Sequence, residues 1–306
     1  EDALTQALAA GGSDSSAIKA FQTIPEKSSE TIELNTQVLV VGMGGSGTAA
    51  ALSAAQNGLS VLAIDKAAKF GGTSVLTSGP MALNVPSQVE AEIAEWTDPA
   101  TKEKRTKAAG EKLIDAEALY QDWLNYTTYE GKQQAKEEMV RLMIDESGYT
   151  DDWLTQFGFS FDTASTFAGN SWCAYTPITG KKALTEGYYA EAYKHFQELG
   201  GSYLLEVEGY DLIQEEGKVT GVLAHSTADG TEYVIHADAV ILATGGFAGS
   251  AEMEEKYLEN TYYPIKGAWK MFGMQQNDGK MIQAALDDGA GTYNISVPPM
   301  VHVGGV

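Results

Sequence analysis

The run Val38-Leu-Val-Val41 is unbroken apolar text ending in a glycine cluster, and its β-branched character predicts a strand buried on both faces. Behind the glycines, Thr48-Ala-Ala-Ala-Leu52 opens a helix, and a second run from Ser60 to Ile64 predicts a strand that stops at Asp65. These elements predict a β-α-β unit over about residues 37–66. From about 86 to 200, large apolar residues recur every three or four positions, as at Leu119, Trp123 and Tyr126. That period predicts helices with a core-facing stripe. The period then shortens to two. Tyr203–Glu208, Asp211–Gln214, Val219–His225 and Tyr233–His236 read as strands of a meander, with turns at Glu216-Gly217 and Asp229-Gly230. The apolar run Ala239–Leu242 predicts a return to the parallel sheet, ending in Ala243-Thr-Gly-Gly-Phe247, and a helix is expected over about 277–288. At the start, a short helix over 2–10 stops at Gly11-Gly12, and the Ser- and Gly-rich stretch from Gly11 to Thr36 reads as a linker.

The glycine cluster carries the first chemistry. Gly42, Gly44 and Gly47 are spaced G-x-G-x-x-G between the first strand and its helix. The first permits a tight turn, the second lets backbone approach a pyrophosphate, and the third lets helix and strand pack closely. The helix N-terminus adds N–H donors for the phosphates. Asp65 follows about 20 residues later, where an acid accepts from a ribose hydroxyl. Strand, glycines, helix, strand and acid in that order point to a dinucleotide. Ala243, Thr244, Gly245 and Gly246 would bring backbone against the same nucleotide from a neighbouring strand end. The loop Phe70-Gly-Gly-Thr-Ser74, rich in small and hydroxyl residues, suits a ligand extending along the strand ends.

Composition narrows the partners. The 306 residues carry a formal net charge of -22, which argues against nucleic acid and against anionic lipid surfaces. No stretch approaches the roughly 20 apolar residues of a membrane span. Cys173 is the only cysteine, so no internal disulfide and no cysteine-based metal site is expected. His195, His225 and His236 are not spaced as metal ligands. Glu1 in place of Met, and the ending Val301-His-Val-Gly-Gly-Val306, suggest a piece of a longer polypeptide.

The ordered motifs resemble the flavoprotein family of fumarate reductase and succinate dehydrogenase, in its soluble branch with urocanate reductase and similar enoate reductases. The matching text is Val40-Val-Gly-Met-Gly-Gly-Ser-Gly-Thr-Ala-Ala-Ala51, Ala63-Ile-Asp-Lys66, Gly71-Gly-Thr-Ser74, Thr77-Ser-Gly-Pro-Met81, Ala243-Thr-Gly-Gly-Phe247 and Asn277-Asp-Gly-Lys-Met281. The resemblance implies an α/β fold, with a Rossmann-like FAD-binding parallel sheet, a β-meander and a helical insertion. It assigns phosphate contacts to Gly42, Gly44, Gly45, Ser46 and Gly47, and the ribose to Asp65. Phosphate and flavin contacts fall on Gly72, Thr73, Ser74, Ser78 and Gly79, the adenine on the Val207 backbone, and a further FAD contact on Asp278.

The family usually has Glu where Asp65 stands. Membrane-bound members attach FAD through a His at a slot that holds Thr73 here, so non-covalent FAD is expected. Soluble fumarate reductases carry Arg and His before a Pro and glycines, whereas this chain has Trp172-Cys-Ala-Tyr-Thr-Pro177, which disfavours fumarate itself because a dicarboxylate needs cationic partners. His302 falls near a substrate-contacting His of the family, the alternative being an ordinary polar histidine. The implied organisation is a helix and linker over 1–36, an incomplete FAD domain over 37–297 lacking its C-terminal return, and the start of a cap domain over 298–306.

The implied function is FAD-dependent reduction of the C=C bond in an α,β-unsaturated carboxylate. In that reaction hydride passes from flavin N5 to the β-carbon and an acid, an Arg of the cap beyond Val306, protonates the α-carbon. Arg105 and Arg141, both in helical text, match no motif for that role. Two other readings stand: an FAD-dependent dehydrogenase or oxidase of ketosteroid dehydrogenase or aspartate oxidase type, and a non-catalytic flavin-binding fragment. The family also suggests an electron-donor protein or an FMN-binding domain ahead of residue 1, anaerobic respiration, and export to the cell envelope.

Overall fold

The computed structural model describes residues 31–77, 79–98, 101–166, 174–175, 187–259 and 276–296. Along the chain these form β1 (Thr31–Val41), α1 (Gly45–Gln56), β2 (Val61–Asp65), α2 (Pro86–Glu90), β3 (Ile93–Thr97), β4 (Lys104–Lys107), α3 (Ala116–Tyr126), α4 (Glu137–Thr155), α5 (Gly187–Glu198), β5 (Ser202–Leu205), β6 (Val207–Glu215), β7 (Lys218–Ser226), β8 (Glu232–Leu242), α6 (Ala251–Leu258) and α7 (Lys280–Asp287). The chain divides into two units, Glu1–Lys69 with Gly201–Val306, and Phe70–Gly200.

The first unit is built on a six-stranded sheet in the order β6-β7-β8-β1-β2-β5. β8, β1, β2 and β5 run parallel, and β6, β7 and β8 are antiparallel neighbours. Leu39 and Val40 are fully buried in β1, as a two-sided apolar strand requires. Leu39, Val41, Leu62 and Ile64 share one core with Val207, Val222, Ile235 and Met281 of α7. Helix α1 buries Gly47, Thr48, Ala51 and Ala55, small residues that let it lie close to the sheet, together with Leu52.

Three expectations change in this unit. β1 starts at Thr31 rather than Val38, because Thr31–Thr36 pair with Glu232–Ala237. The alternation of Ile32 and Leu34 with polar neighbours is a period-two strand signal that the Ser- and Gly-rich text before it obscures. Tyr203–Glu208 is not one meander strand. Glu206, with φ +57°, breaks it, so β5 joins the parallel edge against β2 while β6 begins the meander. Tyr233–His236 and Ala239–Leu242 are one strand, β8, which serves the meander through β7 and the parallel sheet through β1.

In the second unit the reading of 86–200 as helical is corrected. β3 and β4 pair antiparallel, as do Thr128–Tyr129 with Lys132–Gln133 and Ser165–Thr166 with Ala174–Tyr175. The helical stripes hold where helices exist: Leu119 of α3 and Val140 and Ile144 of α4 pack with Leu83, Trp96, Leu113, Ile114 and Ala164. Tyr126 departs from the stripe and is exposed at the end of α3. Asp115 caps α3, its Oδ1 accepting from the amides of Glu117 and Ala118. Lys107 of β4 is fully buried, and its Nζ donates to the carbonyls of Val89, Ala91 and Ala108 at 2.8, 2.8 and 2.7 Å. Those three acceptors satisfy every proton of the ammonium.

Candidate nucleotide-binding site

Two strands grip the turn between β1 and α1. The Gly42 amide donates to the Ile64 carbonyl at 2.8 Å, and the Ala243 amide donates to the Val41 carbonyl at 2.8 Å. Gly42 has φ +100°, and a Cβ on it would lie 2.4 Å from the Ala243 oxygen. A Cβ on Gly47 would lie 1.8 Å from the Gly42 oxygen. Both positions exclude any side chain. Helix α1 begins at Gly45, three residues before the expected Thr48, so Gly45, Ser46 and Gly47 form its first turn. Nothing in that small-residue text interrupts the helix. Gly44 is the N-cap, with no side-chain capping bond and no acidic residue in the first turn. The positive end of the helix dipole is therefore left for an anion.

Asp65 closes β2 with both oxygens engaged. Oδ2 accepts from the Met43 amide at 2.6 Å and Oδ1 from the Ala67 amide at 2.8 Å. The acid thus also braces the glycine turn, a role that the motif alone does not reveal. Beyond it, the Glu206 amide donates to the Ala67 carbonyl at 3.1 Å, and the Thr227 amide to the Glu206 carbonyl at 2.7 Å. Val207 follows with its side chain buried in the core, which fixes its backbone beside the segment after Asp65.

Asp278 joins the same region. Its Oδ2 accepts from Lys66 Nζ at 2.8 Å and its Oδ1 from the Lys280 amide at 3.0 Å. Burial pushes the Asp278 carboxyl up, but the bonds from Lys66 and Lys280 outweigh it and hold the group below its usual range. Glu208 Oε2 accepts from Lys280 Nζ at 2.6 Å and lies 3.5 Å from His225 Nε2, while its Oε1 lies 3.6 Å from Lys66 Nζ. Lys66, Glu208 and Lys280 are site neighbours that sequence spacing missed. Lys66 and Lys280 had a signal, their places in the Ala63–Lys66 and Asn277–Met281 text, whereas Glu208 had none. The Asn277 side chain lies against Gly245, and the Gly249 amide donates to the Asn277 carbonyl at 2.8 Å. α7 itself begins at Lys280 rather than 277, since Gly279 caps it in the left-handed region.

The first unit therefore gathers Gly42, Gly44, Gly45, Ser46, Gly47, Asp65, Val207, Ala243, Thr244, Gly245 and Asp278 around the ends of β1, β2 and β8. Glycine-only backbone, an uncapped helix N-terminus and a terminal acid fit a dinucleotide. In the second unit, Gly72–Leu76 form a 3-10 turn in which the Ser74 amide donates to the Gly71 carbonyl at 3.0 Å. Thr77 Oγ1 donates to the Gly79 carbonyl at 3.1 Å. Ser78 and His302 lie outside the described residues, as do Trp172, Cys173, Thr176 and Pro177.

The two arginines weighed as acids are engaged. Arg105 lies on β4, not in a helix, where β3 supplies its partner strand and it sits over Trp96 at 4.6 Å. Its guanidinium pairs with Asp98 at 2.9 Å and with Glu111. Arg141 of α4 pairs with Glu117 at 2.8 Å. Among the described residues no cluster of His, Cys, Asp and Glu could hold a metal ion, and no helix is long and apolar enough to cross a membrane.

The profile of the FAD binding domain family matches residues 37–300. The chain belongs to that family. Its cofactor is FAD, and the resemblance to fumarate- and urocanate-reducing flavoproteins holds in the relatives found. The FAD-binding chain is 29% identical over 302 residues to an NADH:acrylate oxidoreductase of Vibrio harveyi, a match covering 84% of the chain and 29% of that relative. It is 30% identical over 222 residues to a vinyl phenol reductase of Lactiplantibacillus plantarum, covering 72% of the chain and 39% of the relative. In structure it is similar to the open conformation of a flavocytochrome c3 fumarate reductase, with a TM-score of 0.63 and 26% identity over 95% of this chain and 43% of the other. The chain thus spans well under half the length of these relatives.

Proposed function

We propose that this chain is the FAD-holding part of an oxidoreductase that reduces the C=C bond of an α,β-unsaturated carboxylate. The observation that carries the reading is the glycine turn braced by Asp65 and by Ala243 at the ends of three adjacent strands. Relatives named as acrylate and vinyl phenol reductases support C=C reduction as the reaction class.

In this reading Gly42, Gly44, Gly45, Ser46 and Gly47 hold the pyrophosphate, Asp65 the ribose and the Val207 backbone the adenine. Asp278, fixed by Lys66, stands beside that nucleotide end. Gly72, Thr73, Ser74, Ser78 and Gly79 take phosphate and flavin atoms, and Thr73 leaves the cofactor non-covalently bound. When bound, FAD supplies the two-electron redox chemistry. This chain's residues bind and orient it. The catalytic acid lies outside the chain, in a cap domain entered from about residue 298. Carboxylate-paired Arg105 and Arg141 are poor substitutes for it.

The test uses the full-length protein containing this chain, with a reduced viologen dye as electron donor. Oxidation of the dye on addition of acrylate, urocanate or a related unsaturated carboxylate is expected. Activity only in the oxidising direction, on a steroid or an amino acid, overturns the reading.

A further inference from the structure

Helix α5 turns its buried face, Tyr189, Ala192, Tyr193 and Phe196, toward the segment that opens the second unit. Phe70 stacks on Tyr193 with ring centroids 4.7 Å apart and planes 13° apart. One turn earlier on α5, Tyr189 lies under Gly71. A Cβ on Gly71 would come within 2.6 Å of the Tyr189 ring and 2.5 Å of Val75 Cγ1, so only glycine lets the loop settle on that ring. Phe159 closes the other side of Tyr189, edge to face at 5.5 Å. For this packing a Phe would suffice. Yet Tyr189 is 5% exposed, and burying a phenol hydroxyl is unfavourable unless it is hydrogen-bonded. Its partner is the Ser74 side chain.

We propose that Tyr189 is a positioning residue for FAD: its ring supports the Gly71–Ser74 turn and its hydroxyl fixes the Ser74 side chain that meets the cofactor. The inference rests on the reading of Ser74 as an FAD contact. A phenol is already neutral across the physiological range and burial pushes Tyr189 further up, so the bond to Ser74 does not titrate away. Packing alone would make Tyr189 interchangeable with Phe, whereas positioning makes the hydroxyl matter to the cofactor.

The experiment compares the full-length wild-type protein containing this chain with its Tyr189→Phe, Ser74→Ala and double variants. FAD affinity is read by flavin fluorescence, the bound flavin by its visible band, and the cofactor-free chain by amide exchange. Tyr189→Phe is expected to weaken FAD about five- to tenfold, as for loss of one hydrogen bond. The visible band should shift, and exchange at residues 72–77 should quicken while α5 stays protected. Ser74→Ala should cause the same loss, and the double variant no more than Ser74→Ala alone. Wild-type affinity, band and exchange in Tyr189→Phe, or losses that add in the double variant, overturn the proposal. If the full-length wild-type protein takes up no FAD, the reading of Ser74 fails first and this inference with it. Tyr189→Phe that exchanges faster without any change in FAD shows a merely structural bond and likewise refutes positioning.

Discussion

Asp65 does two things with one carboxylate. On the proposed reading it meets the ribose, and it already accepts from the buried Met43 amide of the glycine turn. Asp65→Ala should therefore weaken FAD binding by about 1–3 kcal/mol and also lower the stability of the FAD-free chain by about 1–2 kcal/mol, since the Met43 amide loses its acceptor. Titration of FAD and thermal melting without it separate the two effects, and an unchanged apo melting point would show that the bracing bond is unimportant. Glu254 of α6 is the opposite case, because no motif marks it. It is 6% exposed, and among the described residues its Oε1 finds no hydrogen-bond partner. Burial raises its carboxyl above the ordinary Glu value of about 4.3. A folded state that holds this proton more tightly is most stable below that value and loses stability as pH rises through the raised one. Glu254→Gln should thus melt higher than wild type at neutral pH and the same at acid pH, and a variant that melts lower at neutral pH would point to an unseen partner. The contrast explains legibility at this scale. Gly42, Gly44, Gly47 and Asp65 are local in sequence, whereas the Lys66–Asp278 pair and the surroundings of Glu254 exist only after folding.

Among the elements, those with a clean period were readable and those sharing two roles were not. The run Val38–Val41 and the turn residues Glu216-Gly217 gave β1's buried half and the β6–β7 hairpin directly. β8 was read as two strands because His236 to Ala239 is where its antiparallel partner ends and only the parallel one continues. The helical reading of the second unit missed β3 and β4 because paired strands of four or five residues leave little periodicity to detect. Asp278 ties the start of α7 to Lys66, its Oδ1 accepting from the Lys280 amide and its Oδ2 from Lys66 Nζ. The Asp278 carboxyl, held below its usual range, contributes stability above the ordinary Asp value of about 3.9 that is lost as pH falls below it. Asp278→Asn should flatten that acid limb of the melting curve and loosen α7, read as faster amide exchange over Lys280–Asp287. An acid limb identical to wild type would remove the latch from the account.

At the scale of the whole molecule, the chain is strongly acidic, with a net charge of -22, and carries a glycine turn braced by a terminal acid that fits the FAD of its family. The fold class was legible because the β-α-β motif, the meander and the closing strand appear in order. The division at Lys69 and Gly201 was not, since it reflects contacts between distant segments rather than any break in composition. The most direct test of the central claim is the fate of the yellow colour of the purified chain saturated with FAD, compared with Gly44→Val. Gly44 has φ −75° and ψ −166°, backbone that any residue adopts, so valine there keeps allowed dihedral angles and, on the proposed reading, takes the space of the pyrophosphate. The account predicts a yellow wild-type chain that releases all its flavin to the supernatant on acid denaturation, and a folded but colourless variant. Colour that stays with the precipitated wild-type chain, or a Gly44→Val chain as yellow as wild type, would contradict it.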